Sequence, residues 1–145
     1  MNSLGVPPHS FMPIVLGGLT TTIAQAIWEN KPTGIKSFGD TMVSILDSQG
    51  LQHLISFRRP TQVPIYISMD IEDTGGMPGD APVQIKQRIL DYVKSMYLIG
   101  DDVIYSRFYT PANQIPGHAI NRLNIGTTPD PDGTSNIVID YDEVA

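Results

Sequence analysis

The chain has 145 residues, a formal net charge of -6 at neutral pH and only 17% charged residues. An acidic chain is poorly suited to neutralising phosphates, which rules against nucleic acid as its main partner, and to anionic membrane surfaces, which attract polybasic segments. It has no cysteine, which excludes disulfides, zinc–thiolate sites, iron–sulfur clusters and cysteine nucleophiles. Its longest apolar stretch, "FMPIVLGGL", falls well short of the roughly 20 residues that cross a bilayer.

The 13 glycines and 12 prolines predict many turns. The start, "MNSLGVPPHS", reads as an irregular arm and looks like the middle of a longer protein. A short strand is expected over Ser10 to Leu16, at an edge or bulge because Pro13 cannot donate to a ladder. "LTTTIAQAIWENKPTG" reads as a helix, capped by Thr20 or Thr21, with Ile23, Ala24, Ile27 and Trp28 on its apolar side, and stopped by Pro32 and Gly34. A hairpin follows: Thr41 to Leu46, a type I turn over Asp47-Ser48-Gln49-Gly50, and Leu51 to Phe57.

Strict alternation over Val63 to Ile71 predicts a strand with Val63, Ile65, Ile67, Met69 and Ile71 on the buried face and Pro64, Tyr66, Ser68 and Asp70 on the other. Asp80 caps the next predicted helix, with Pro82 in its first turn. Ile85, Ile89, Tyr92, Val93 and Met96 mark its buried side, and Lys86, Gln87, Asp91 and Lys94 its wet side. A strand over Val103 to Phe108, a helical turn over Pro111 to Gln114, a strand over Ala119 to Ile125 and a closing strand "NIVID" complete the reading. The fold class expected is α+β: two successive small lobes, 1–60 and 61–145, each a helix packed on a short mixed or antiparallel sheet.

The order of several features carries a family likeness. "GG…IAQAIWENKPTGIKSFGDTMVSILDSQGLQHLISFRRPTQVPIYISMDI" and the later "IGDDVIYSRFYTPANQIPG" resemble the C-terminal portion of baseplate J-like proteins, which build the baseplate wedges of contractile phage tails. The resemblance runs from about Ser10 to Ile125. Full family members carry a large N-terminal portion that this chain lacks. The resemblance implies a structural component of a phage or prophage tail baseplate, not an enzyme and without cofactors. Its partners would be copies of itself, as a homo-oligomer in the full assembly, and other wedge proteins. It would reside in the virion tail baseplate, and in the host cytoplasm during assembly. The rival readings are a small ligand- or carbohydrate-binding module on an α+β scaffold and a hydrolase with an unrecognised site.

Four residues are candidates for an interface or for the lobe junction: Trp28, Arg58, Arg59 and Tyr66. Pro60 keeps Arg59 extended, so the two arginines point to opposite sides. Their guanidinium groups suit carbonyls or carboxylates at the junction, or an inter-subunit ion pair. Trp28 is either a contact anchor or a core residue. Elsewhere the chemistry is sparse. His9, His53 and His118 are scattered, and zinc needs three or four ligands. In "DPDGTSN" the glycine is fourth rather than sixth, so a solvated turn fits better than a calcium loop. Asp101 and Asp102 are adjacent and point apart on an extended chain. Gly17-Gly18 lacks P-loop spacing. Met12, Met42, Met69, Met77 and Met96 are expected as core filler.

Overall fold

A computed structural model describes residues 5–96 and 98–145; the start of the predicted arm and the side chain of Met96 fall outside the described residues. The protein is α+β, with helices packed on short two-stranded sheets. The chain divides into two compact units, Met1–Thr61 and Gln62–Ala145.

In the first unit, β1 (Ser10–Phe11) pairs in parallel with β2 (Lys36–Ser37). The strand expected through Leu16 is cut short. Pro13 has no N–H to offer, and the chain changes partner there: the Arg58 N–H donates to Pro13 O at 2.9 Å and the Val15 N–H to Arg58 O at 3.0 Å. Helix α1 (Thr20–Asn30) follows. Neither Thr20 nor Thr21 caps it; both lie inside the helix, and the cap position is Leu19, which makes no side-chain cap bond. The helix ends at Lys31, extended at φ -70°, ψ 143°, as a residue before proline must be.

The predicted hairpin forms as β3 (Thr41–Leu46) and β4 (Gln52–Phe57), antiparallel with Val43 opposite Ile55 and Ile45 opposite His53. Its turn closes by Gly50 N–H to Asp47 O at 3.0 Å, with Gly50 at φ 78°, which glycine reaches without strain. The Asp47 carboxylate accepts the Gln49 and Leu51 N–H groups at 2.8 and 2.9 Å. Ala24, Ile45 and Ile55 are buried, with Ile27, Trp28 and Val43 packed around them. Gly39 is required by contact: a Cβ there would lie 2.2 Å from the Phe57 carbonyl. Met42, expected inside, is 63% exposed on the hairpin's other face.

In the second unit, β5 (Thr61–Gln62) falls on the unit boundary, and β8 (Glu143–Val144) pairs with it; the next N–H, of Val63, donates to Val144 O at 2.8 Å. The central strand therefore begins later than expected. Pro64 interrupts the ladder, and β6 spans Tyr66–Asp73. It pairs antiparallel with β7 (His118–Gly126), from Tyr66 opposite Gly126 to Asp73 opposite His118, with a bulge after Asp70 that leaves Asn121 extra on β7. Helix α2 (Ala81–Met96) packs Ile85 and Ile89 inward and leaves Lys86, Gln87, Asp91 and Lys94 exposed. The Asp80 carbonyl accepts from Val83 and Gln84, and its carboxylate takes the Gln84 amide at 2.8 Å.

Two expected strands are corrected. Val103–Phe108 is a single bridge at Val103 and a 3-10 turn (Tyr105–Phe108), which runs on into the short helix α3 (Tyr109–Ala112). Tyr105, Phe108, Tyr109 and Ala112 sit at i, i+3, i+4 and i+7, a helical period rather than a strand's. "NIVID" makes only the Ile137–Val103 bridge. Side chains take the place of a ladder there: Asn136 Oδ1 accepts the Tyr105 N–H at 3.0 Å, and Asp102 Oδ1 accepts the Ile139 N–H at 2.9 Å. The helical turn expected from Pro111 begins at Tyr109.

The core of this unit gathers Ile85, Ile89, Val103, Phe108, Leu123 and Ile125, among others. Leu123 and Ile125 on β7 are 1% exposed. On β6 the alternation holds, but Ile67, Met69 and Ile71, and Ile65 just before the strand, are half-buried rather than buried. Cavity formation scales with enclosure, so Leu123→Ala should cost about 2–5 kcal/mol, Ile67→Ala distinctly less, and Ser68→Ala within about 0.5 kcal/mol. Urea unfolding of the three variants checks the order; equal losses at Ile67 and Leu123 would contradict the half-open face.

Candidate functional site

Arg59 stands over the Phe57 ring, 5.2 Å from its centre, and fans into the turn before α1. Its guanidinium donates to Val15 O at 3.1 Å, to Gly18 O at 2.8 Å and to Gly17 O. One planar fork thus collects three carbonyls that no ladder satisfies. The Gly17-Gly18 turn presents those carbonyls to the arginine. Arg58 contributes through its backbone, tied to Pro13 and Val15, while its Nε lies 3.4 Å from the exposed Asp40 carboxylate. The Arg59 guanidinium therefore acts within the first unit.

Trp28 joins a cluster that the linear reading did not connect. Its ring stacks on His53 at 4.0 Å between centres and 25° between planes, and Lys31 Nζ lies 5.0 Å from the indole centre. His53 Nε2 is 2.7 Å from Asp47 Oδ2. The signal was present: Asp47 and His53 flank one tight turn, and His53 sits on the face that α1 covers. The hydrogen bond from His53, then the N–H of Leu51, holds the Asp47 carboxyl below the usual carboxylate range. Beside the cluster is a cleft of about 370 Å³ whose wall includes Trp28, Lys31, Lys36, His53 and Ser56.

On the outer face of the same hairpin Met42, Leu46 and Leu54 are set among Ser44, Gln52 and Ser56. Ser44 lies directly opposite Leu54, and Met42 and Leu46 flank that pair on the same face. Met42, Leu46 and Leu54 are 63%, 62% and 64% exposed, and Leu51 in the turn is 58% exposed. Diagonal neighbours on one sheet face are about 7–8 Å apart, which sets Met42 and Leu46 on either side of Leu54 in one exposed patch. In sequence the hairpin's second face was hidden, because apolar residues occupy both phases of the strand period.

Tyr66, 38% exposed, stands at the rim of a groove of about 500 Å³ in the second unit. One wall is the inner face of β6; the other is the flank of α2 bearing Pro82, Lys86 and Leu90. Nearby, the Tyr105 hydroxyl reaches Tyr109 at 3.0 Å and donates to Leu123 O at 2.9 Å. The Tyr109 hydrogen bond, then enclosure, raises the Tyr105 pKa.

The remaining titratable candidates are dispersed into backbone support. Asp101 accepts the Leu98 N–H at 3.1 Å and Asp102 the Ile139 N–H at 2.9 Å. His9 occupies a left-handed turn at φ 54°. His118 starts β7 with both ring nitrogens enclosed and without a hydrogen-bond partner among the described residues. Asp130 takes φ 59° in its loop, and Ile125 N–H donates to Gly133 O at 2.8 Å. No protein-family model matches the chain, and no curated protein matches it.

The lowered Asp47 pKa sets a pH dependence. A carboxyl depressed in the folded state contributes stability above its unfolded pKa and loses it as pH falls through the folded value. Wild-type protein should therefore lose stability below about pH 4 more steeply than Asp47→Asn, in which no carboxylate titrates. Chemical denaturation between neutral and strongly acid pH measures the two slopes; parallel curves would show that the Asp47–His53 contact carries no linkage.

Proposed function

We propose that this chain is a structural component of a contractile phage or prophage tail baseplate, acting through protein–protein contacts in wedge or ring assembly. The observation that carries the reading is the apolar outer face of the β3–β4 hairpin. Large side chains at Met42, Leu46 and Leu54 stand in water together, and contiguous exposed apolar surface on a folded domain marks a contact site. The ordered likeness of residues 10–125 to baseplate J-like proteins supports the same reading and supplies the partners: copies of itself and other wedge proteins, with residence in the tail baseplate of the virion. The mechanism is complementarity of shape and apolar surface, with charges kept to the rim. Arg59 is not needed for recognition on this reading, since its guanidinium is engaged within the first unit.

Met42→Lys and Leu54→Glu test it. Both positions are more than half exposed, so the variants should keep the wild-type circular dichroism and melting temperature, while complete tails lose their baseplates in electron micrographs. Folded variants that yield normal baseplates would sink the assembly reading.

A second reading, a small ligand- or carbohydrate-binding module, has its own observation in the 370 Å³ cleft walled by Trp28, Lys31, Lys36 and His53. His53 and Lys31 already lie against the indole, so a ligand would have to displace one of them. Trp28 is the only tryptophan, and its fluorescence reports on the cleft. Titration with neutral oligosaccharides and with inorganic phosphate is expected to leave the emission unchanged; saturable quenching by either would favour the binding module.

A further inference from the structure

The groove between β6 and α2 is apolar along both walls. Of its ten lining residues only Tyr66 and Lys86 carry a polar side-chain group. Lys86 is a cation without a counter-ion. Its neighbours three and four residues away on the helix are Pro82, Val83, Ile89 and Leu90, so none can pair with it as helix-surface lysines commonly pair. Every carboxylate on the two walls is engaged elsewhere. Asp70 pairs with Arg122 at 2.6 Å and Glu72 accepts from Asn121 at 3.1 Å. Asp73 accepts the Gly75 N–H and Asp91 the Gln87 amide, both at 2.8 Å. Among the described residues the Lys86 ammonium has neither an ion pair nor a hydrogen bond. One unpaired cation on an otherwise apolar groove is complementary to a ligand with an apolar body and one negative charge.

The geometry points to a binding site for a medium-chain carboxylate, its alkyl chain lying along β6 and its head group on Lys86. The groove holds about 500 Å³, within the range of about 300–1,000 Å³ typical of small-molecule sites. From Ile65 to Ile71 it follows extended backbone for about 20 Å. Lys86 stands at the middle turn of the flank that runs from Pro82 to Leu90, so about 10 Å of groove lies to either side. That length suits a medium chain rather than a long one. One ammonium balances one charge. A phosphate monoester, at about -1.5 to -2, would leave charge uncompensated against an apolar wall. An uncharged alkane would fill the groove and leave Lys86 unused. The bound chain would cover Ile67, Met69 and Ile71, which are half-buried, and so give β6 the enclosure that Leu123 and Ile125 already have on β7.

This site goes beyond the assembly reading and does not depend on it: the groove lies in the second unit and the hairpin patch in the first. Isothermal titration of the whole chain with octanoate, decanoate and dodecanoate, each below its micelle concentration, tests it. One saturable site is expected, with affinity rising about fourfold for each added CH₂ until the groove is filled. Lys86→Gln should weaken octanoate about fivefold and leave octanol unchanged. Arg88→Gln removes a cation from the other side of α2 and should change neither. Both positions are exposed, so the two variants should keep the wild-type circular dichroism. Trp28 emission should stay constant throughout, because the cleft beside Trp28 belongs to the first unit. No heat at any chain length, or heat that never saturates, overturns the site. Saturable binding that Lys86→Gln leaves untouched overturns it too, since the head group is then not read by that lysine. Binding that quenches Trp28 puts the ligand beside Lys31 and Lys36 instead and equally overturns it.

Discussion

A two-stranded sheet cannot bury its own apolar face, and every sheet among the described residues has two strands. That constraint organises each unit. The β3–β4 hairpin becomes stable by setting Val43, Ile45 and Ile55 against Ala24 and Ile27 of α1, and the β6–β7 pair does so by setting its inner face against Ile85 and Ile89 of α2. One helix covers one face of one strand pair. Whatever lies beyond that width stays in water or must be covered by another chain, as the outer residues of the β3–β4 hairpin and the open side of β6 show.

The shortfall takes a different form in each unit. In the first, the uncovered surface is a whole sheet face, because the hairpin has apolar residues on both sides and α1 takes only one. In the second, Leu123 and Ile125 of β7 are sealed, while the inner face of β6 opens into the groove it forms with α2. Loops take over where regular pairing fails. Arg59 satisfies the carbonyls ahead of α1, and Asn136 and Asp102 bind the N–H groups of segments that never become strands. These are single side chains standing in for ladders, which explains how so much irregular backbone is held by so few elements.

The polar cluster at Asp47, His53 and Trp28 shows a similar economy. The Asp47 carboxylate closes the hairpin turn through two backbone N–H groups and also fixes the His53 ring, which in turn lies flat on Trp28. Turn, sheet and helix are thereby joined at one carboxylate. A residue of that type at the head of a tight turn is ordinary in sequence; its reach into the helix is visible only when the hairpin register places His53 beneath the indole.

Much of this was legible in the residues alone. The two long helices, the hairpin with its Asp–Gly turn, the alternation of β6 and the α+β class follow from period and breakers, which are local properties of backbone sterics and side-chain spacing. Other features are set by what a segment meets. Val103 to Phe108 reads as a strand until the core claims Tyr105, Phe108, Tyr109 and Ala112 at a helical period, and "NIVID" has a strand's composition but only one bridge in place of a ladder. Pro13 announced an interruption without saying where the chain would pair next, and Pro64, read as part of a strand from Val63, broke its ladder. Above all, a period of two says which residues share a face and never which face or edge is covered. Coverage is a non-local quantity, decided by how wide a helix is and where it rests. Only the tertiary structure could therefore separate the sealed Leu123 from the half-open Ile67, or show Met42, Leu46 and Leu54 standing together in water.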